Sequence, residues 1–166
     1  MTERTRARAT TPGGTKKAAP SVSTAPGQDT GSRITAAEFL TLIRETIPLS
    51  RSWPFEVVAL GDGRATLRIA FREDQLRAGG TINGPTLMTL ADTALYAAVL
   101  SRIGLEPLAV TSDLTFRFLR KPEQAALVAE ATLLRAGKRL AVGEVQIRSE
   151  GSPALVAHVT GTYALP

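Results

Sequence analysis

Cysteine is absent and histidine occurs once, at position 158. Without thiols there is no disulfide framework, no thiolate metal site and no cysteine nucleophile, a composition that suits a reducing compartment. A single imidazole rules out a multi-histidine metal site and leaves little scope for a histidine-based triad. Aromatic residues make up only 5% of the chain, and no basic stripe is interleaved with them in the manner of single-strand nucleic-acid binders. No apolar run reaches the roughly 18 residues that a membrane span requires. The expectation is a soluble, cytoplasmic protein with no metal, no nucleic-acid partner and no membrane segment.

Positive charge is in excess, +5 in 166 residues, but its placement decides its meaning. Five of the 20 basic and two of the 15 acidic residues lie in residues 1–32, so that stretch carries +3 and residues 33–166 only +2. The stretch is rich in Thr, Ala, Pro, Gly and Ser, with Val22 its one sizeable apolar side chain after Met1. So little apolar surface does not offset the entropy of ordering, which predicts a disordered basic tail over 1–32 and a single domain over 33–166. The tail has neither the apolar stretch of a secretory signal nor the apolar face of a transit helix.

Order is expected from TAAEFLTLIRETIP onward. Thr35 and Glu38 form a capping box, Phe39, Leu40, Ile43 and Ile47 recur at helical spacing, and Pro48 ends the helix. PFEVVAL and RATLRIAF read as strands joined by the turn Gly61-Asp62-Gly63, and residues 72–83 as a polar loop. A long helix follows, with Asn83 or Gly84 as its cap, Pro85 in its first turn and Gly104 at its end. Nearly every face of residues 85–101 is apolar or small, the pattern of a helix surrounded by protein. Beyond it the period changes to two. LAVTSDLTFRFL places Val110, Ser112, Leu114, Phe116 and Phe118 on one face, and three further strands follow through 126–165. Short connections predict antiparallel hairpins throughout, an α+β domain whose sheet needs the long helix as cover.

One residue in that helix is out of character. Across GGTINGPTLMTLADTALYAAVL, residues 79–100, Asp92 is the only charged side chain. A carboxylate in apolar surroundings is costly unless it is paired or hydrogen-bonded. It is therefore either a helix acid paired with an arginine such as Arg117 or Arg120, or a group with a chemical use.

The element order resembles the hotdog fold, in which a six-stranded antiparallel sheet wraps a long central helix. INGPTLMTLAD looks like the helix signature of phenylacetyl-CoA-type (PaaI-like) acyl-CoA thioesterases, and LTFRFLRKP like that family's strand-to-loop segment. The resemblance covers roughly residues 36–166. It implies hydrolysis of an acyl-CoA to a free acid and coenzyme A, with coenzyme A part of the substrate and no cofactor. It makes Asp92 the catalytic carboxylate, as nucleophile or general base, and assigns the oxyanion to the Gly84 N–H, at the positive end of the helix. Asn83 stands where the family commonly has His, and can donate a hydrogen bond near the thioester but not titrate. Pro85 stands where it has Gly. Thr111 matches a hydroxyl that orients water in some relatives, and the water-positioning Asn that others carry corresponds to Arg77 or lies elsewhere in the 72–83 loop. Tyr96, one turn past Asp92, is a candidate for the acyl pocket. Arg120, Lys121, Arg135, Lys138 and Arg139 are candidates for the coenzyme A phosphates. His158, in register with Thr160 and Thr162, reads as an outward strand residue.

Eight residues separate Gly84 from Asp92, about 12 Å along a helix axis, yet both must come within about 3 Å of one reacting centre. Two antiparallel copies of the helix satisfy this. A homodimer is expected, assembling further to a tetramer as the family does, with a non-catalytic acyl-CoA binder as the alternative reading.

Overall fold

The structure, a computed structural model, describes residues 31–166. The predicted basic tail lies, but for its last two residues, outside the described residues. Helix α1 (Ala36–Thr46) begins at the expected capping box: the Thr35 N–H donates to Glu38 Oε2 at 2.7 Å and the Glu38 N–H to Thr35 Oγ1 at 3.2 Å. A 3-10 turn, Pro48–Ser52, leads into β1 (Phe55–Gly61), and Gly63 at φ 74° turns the chain into β2 (Arg64–Ile69). Residues 72–83 hold more order than a plain loop, because a 3-10 turn at Glu73–Gln75 is followed by a two-residue hairpin of β3 (Leu76–Arg77) and β4 (Thr81–Ile82).

Helix α2 (Gly84–Ile103) runs for 20 residues and ends at Gly104, φ 99°. The four remaining strands are β5 (Val110–Phe118), β6 (Leu127–Ala136), β7 (Leu140–Ser149) and β8 (Leu155–Ala164). All six long strands form one antiparallel sheet in the order β1-β2-β6-β7-β8-β5. The reading of successive hairpins from β5 onward is corrected here. β5 pairs with β8 alone, and β6 crosses the sheet to pair with β2. The residues between β5 and β6, 119–126, are too many for a tight hairpin and free β5 to form the sheet edge. This sheet curled around a long helix is the hotdog arrangement. No helix among the described residues is long and apolar enough to cross a membrane.

Two glycines let the helix lie close to the sheet. Gly143 of β7 and Gly161 of β8 sit opposite one another, and a Cβ on either would meet Leu95 of α2, at 2.6 and 3.0 Å respectively. Side chains there would displace the helix, so the notch holds Leu95, itself buried, in place. At the far end, buried Ser101 accepts from the Gly63 N–H at 2.9 Å and donates to the Ala98 carbonyl at 2.7 Å, tying the helix to the β1–β2 turn.

Candidate active site

The helix entrance is built from backbone chemistry. Asn83 caps α2, its Oδ1 accepting from the Thr86 N–H at 2.8 Å and from Thr86 Oγ1 at 2.9 Å. Its Nδ2 donates to the Gln75 carbonyl at 2.6 Å, and its own N–H to the same oxygen at 2.8 Å. The sequence offered Asn83 as a donor toward the thioester; within the protomer its Oδ1 and one N–H of Nδ2 are engaged in holding the helix entrance. The N–H of Gly84 lies in the first turn, where a helix supplies no acceptor. An added Cβ on Gly84 would meet Phe118 of β5 at 3.7 Å, so the entrance lies beside the end of the edge strand.

Two turns along, Asp92 is half-buried and lies beside the other end of that strand. Its Oδ1 accepts from Thr111 Oγ1 and from Tyr163 Oη, each at 2.7 Å. Neither Arg117 nor Arg120 pairs with it among the described residues. Thr111 reaches Asp92 because of a β-bulge. The register slips between Thr111, opposite Tyr163, and Asp113, opposite Thr162. Strict alternation, which set Thr111 on the face opposite Leu114 and Phe116, is therefore broken, and all three face α2.

Asp92 stands in the wall of a cleft of about 310 Å³, where it is the only charged residue among the described residues. Ile43 of α1, Ile47 just after that helix, Phe55 of β1, Tyr96 of α2, and Ala109 and Val110 before and at the start of β5 supply its apolar wall, with the hydroxyls of Thr46, Ser50, Thr89 and Thr93 beside them. Tyr96 is buried, stacked on Tyr163 (5.8 Å between centroids, 12°) and edge-on to Phe39 (5.9 Å, 61°), so it serves core and cleft together. Burial first, then the charge of Asp92, push the Tyr163 phenol well above its ordinary range, so it stays protonated and donates.

The remaining candidates lie elsewhere. Arg77 is exposed on the β3–β4 hairpin, near the helix entrance and apart from the Asp92 cleft. The basic residues do not form one cluster. Arg120 and Lys121 follow the end of β5, while Arg135, Lys138 and Arg139 surround the β6–β7 turn at the opposite end of the sheet, all exposed. His158 lies on the outer face with Nε2 3.0 Å from Glu144 Oε2. Tyr163 and Gln75 were missed from sequence. The inward parity of Tyr163 with Gly161 and Val159 was legible, but its meeting with Asp92, 71 residues away, was not.

The profile of the thioesterase superfamily matches residues 79–155, the span from the helix entrance through β7. Among solved structures, one from Silicibacter, named a "putative thioesterase", is 38% identical with a TM-score of 0.74, the match covering 84% of this chain and 96% of that one. This chain belongs to the thioesterase superfamily. The chain is also similar to a conserved protein of Pseudomonas aeruginosa (27% identity, TM-score 0.70, 80% and 100% coverage). A point variant of the phenylacetic acid degradation protein PaaI of Thermus thermophilus matches at 29% identity and TM-score 0.64, over 72% of this chain and 99% of that one. For a thioesterase-superfamily member, the arrangement holds a carboxylate by one oxygen in a cleft of mixed apolar and hydroxyl lining, with an amide-bearing helix entrance at the other end of the same edge strand.

Proposed function

We propose that the protein hydrolyses acyl-CoA thioesters as a two-fold dimer, with Asp92 of one copy and Gly84 of the other meeting at each site. The observation that carries this reading is the tethering of Asp92 through Oδ1 alone, which leaves Oδ2 for water or for the thioester in a cleft shaped for an apolar acyl group. As general base, Asp92 takes a proton from water while the water oxygen bonds to the thioester carbonyl carbon. The carbonyl electrons move onto oxygen and are stabilised by the partner's Gly84 N–H. The C–S bond then breaks, and the coenzyme A thiolate leaves and regains a proton. As nucleophile, Oδ2 would itself bond to the carbonyl carbon, the C–S bond would break to expel the coenzyme A thiolate, and water would then cleave the resulting anhydride to the free acid and the Asp92 carboxylate, its second proton going to the thiolate.

Support for the second copy comes from three features that share one axis. Met88, 42% exposed, lies midway between Gly84 and Asp92 on the open side of α2. β5 is an unpaired edge, and Gly84 and Asp92 lie beside its two ends. On its outer face, Asp113, Thr115 and Arg117 stand opposite Thr162, Thr160 and His158. If β5 pairs antiparallel with its copy so that Thr115 faces the partner's Thr115, Asp113 comes opposite the partner's Arg117, an attractive cross-strand pair on each side of the axis.

Thiol release over a panel of aromatic and aliphatic acyl-CoAs tests the reading. Asp92→Asn is expected to lose about 10²–10⁴ in rate. Hydrolysis undiminished in Asp92→Asn would remove the role of the carboxylate. A wild type that cleaves nothing, yet melts at higher temperature with acyl-CoA, would make the protein a binder.

A further inference from the structure

The hydrogen bonds at Asp92 assign a role to a residue on the last strand. Tyr163 is 3% exposed. Its Oη lies 2.7 Å from Asp92 Oδ1 and 3.2 Å from the Asp92 carbonyl oxygen, and its ring is stacked on Tyr96 one helical turn beyond Asp92. The ring is thus fixed by packing and the hydroxyl by the carboxylate. Thr111, across the strand pair from Tyr163, donates to the same oxygen, an approach that the bulge between Thr111 and Asp113 makes possible. Two donors on Oδ1 stop rotation of the carboxyl group, so that Oδ2 keeps one direction.

We infer that Tyr163 is the positioning residue of the proposed hydrolysis: its buried hydroxyl, with that of Thr111, holds Asp92 oriented by Oδ1 so that Oδ2 does the chemistry. The inference rests on the hydrolytic reading of Asp92. Tyr163 does not itself exchange protons with the substrate, since Asp92 already engages its hydroxyl and the buried phenol does not ionise in the working range. Among the described residues, α1, the 3-10 turn, β1 and β5 line the cleft without a charged side chain.

The test is Tyr163→Phe, which keeps the stacked ring and removes only the hydroxyl, with Thr111→Val as a second variant removing the other donor. A hydrogen bond to a charged group corresponds to about a tenfold effect or somewhat more. In Tyr163→Phe we expect kcat to fall by about tenfold with KM within about twofold of wild type. The Asp92 carboxyl carbon reads the lost bond without substrate, because its NMR chemical shift reports the hydrogen bonds that the carboxyl group accepts; it should move in Tyr163→Phe and, in the same direction, in Thr111→Val, which should also lower kcat with KM near wild type. A packing role alone would lower Tm and leave that chemical shift and kcat in place, and that result in both variants overturns the inference. Full activity in Asp92→Asn overturns the hydrolytic reading beneath, whereas an inactive Asp92→Asn beside a Tyr163→Phe with wild-type kcat and an unmoved Asp92 carboxyl signal overturns the positioning role alone.

Discussion

From Ala94 to Ser101 every side chain of α2 is buried, whereas from Pro85 to Thr93 the same helix alternates buried residues with an open stripe of Pro85, Met88, Thr89 and Asp92. Composition does not separate the halves, since both are dominated by small and apolar residues. Position in the sheet does. The C-terminal half is enclosed by the inner strands and seated on the Gly143–Gly161 notch, while the N-terminal half runs beside β5, which is the sheet edge among the described residues. One half of the helix is finished within the protomer; the other presents its polar group and its apolar stripe to whatever adds to the edge.

That contrast predicts that damage to the sealed half reads out as stability and damage to the open half as activity and association. The largest effect is expected at Leu95. It is 1% exposed and fills the space over the two glycines, so Leu95→Ala opens a cavity that the paired strands are poorly able to close, and costs about 3 kcal/mol of unfolding free energy. For a domain of this size the melting temperature should fall by roughly 6–12 °C. Denaturant unfolding measures the loss. A cost under about 1 kcal/mol would mean that the helix rides loosely over the notch.

The sealed half was also the legible half. The apolar run of residues 94–100, the caps at Asn83 and Gly104 and the period-two pattern of β6 to β8 depend on neighbours in sequence, and each of these features stands in the structure. The topology around β5 was not legible, because the pairing of β6 with β2 is a choice among distant partners that no local pattern encodes. At the site, Asp92 announced itself as one charge in an apolar helix. Its partners did not. The bulge between Thr111 and Asp113 reverses the parity on which strand reading depends, and Tyr163 reaches Asp92 only once β8 lies beside β5. Asn83 carried two readings from the start, because an amide at a helix start looks the same in sequence whether it faces a substrate or caps its own helix; the cap is the one the hydrogen bonds describe.

The next largest effect tests the open half through the edge strand. Asp113→Arg would set arginine against the partner's Arg117 in the proposed pairing, and Arg117→Asp would set two acids together. Each alone should weaken the dimer by about tenfold or more, because like charges placed opposite one another repel. The double reversal, Asp113→Arg with Arg117→Asp, should restore association toward wild type. Sedimentation across a concentration series reads the dissociation constant, and thiol release should follow the dimer fraction if each site takes a residue from both copies. Single variants that associate as wild type does would break the Thr115 register. Activity that persists in a monomer would break the shared site itself.

The smallest effect concerns the basic residues at the two ends of the sheet. In one protomer Arg120 and Lys121 lie at the opposite end from Lys138 and Arg139, too far apart for a single substrate. The same Thr115 register brings the partner's Arg120 opposite Val110, and Val110, Ala164 and Leu140 lie side by side across β5, β8 and β7. Three strand spacings, about 15 Å, then separate the partner's Arg120 from the β6–β7 turn, within the span of one extended coenzyme A. Neutralising either pair, Arg120→Ala with Lys121→Ala or Lys138→Ala with Arg139→Ala, is expected to raise KM for an acyl-CoA about twofold to fivefold and to leave kcat unchanged, since exposed ionic contacts contribute little each and are screened by salt. A thioester of the same acyl group on a pantetheine arm without the nucleotide phosphates separates the causes. If the substitutions raise KM for that substrate as much as for acyl-CoA, the charges are not reading phosphate and the two ends of the sheet are unrelated after all.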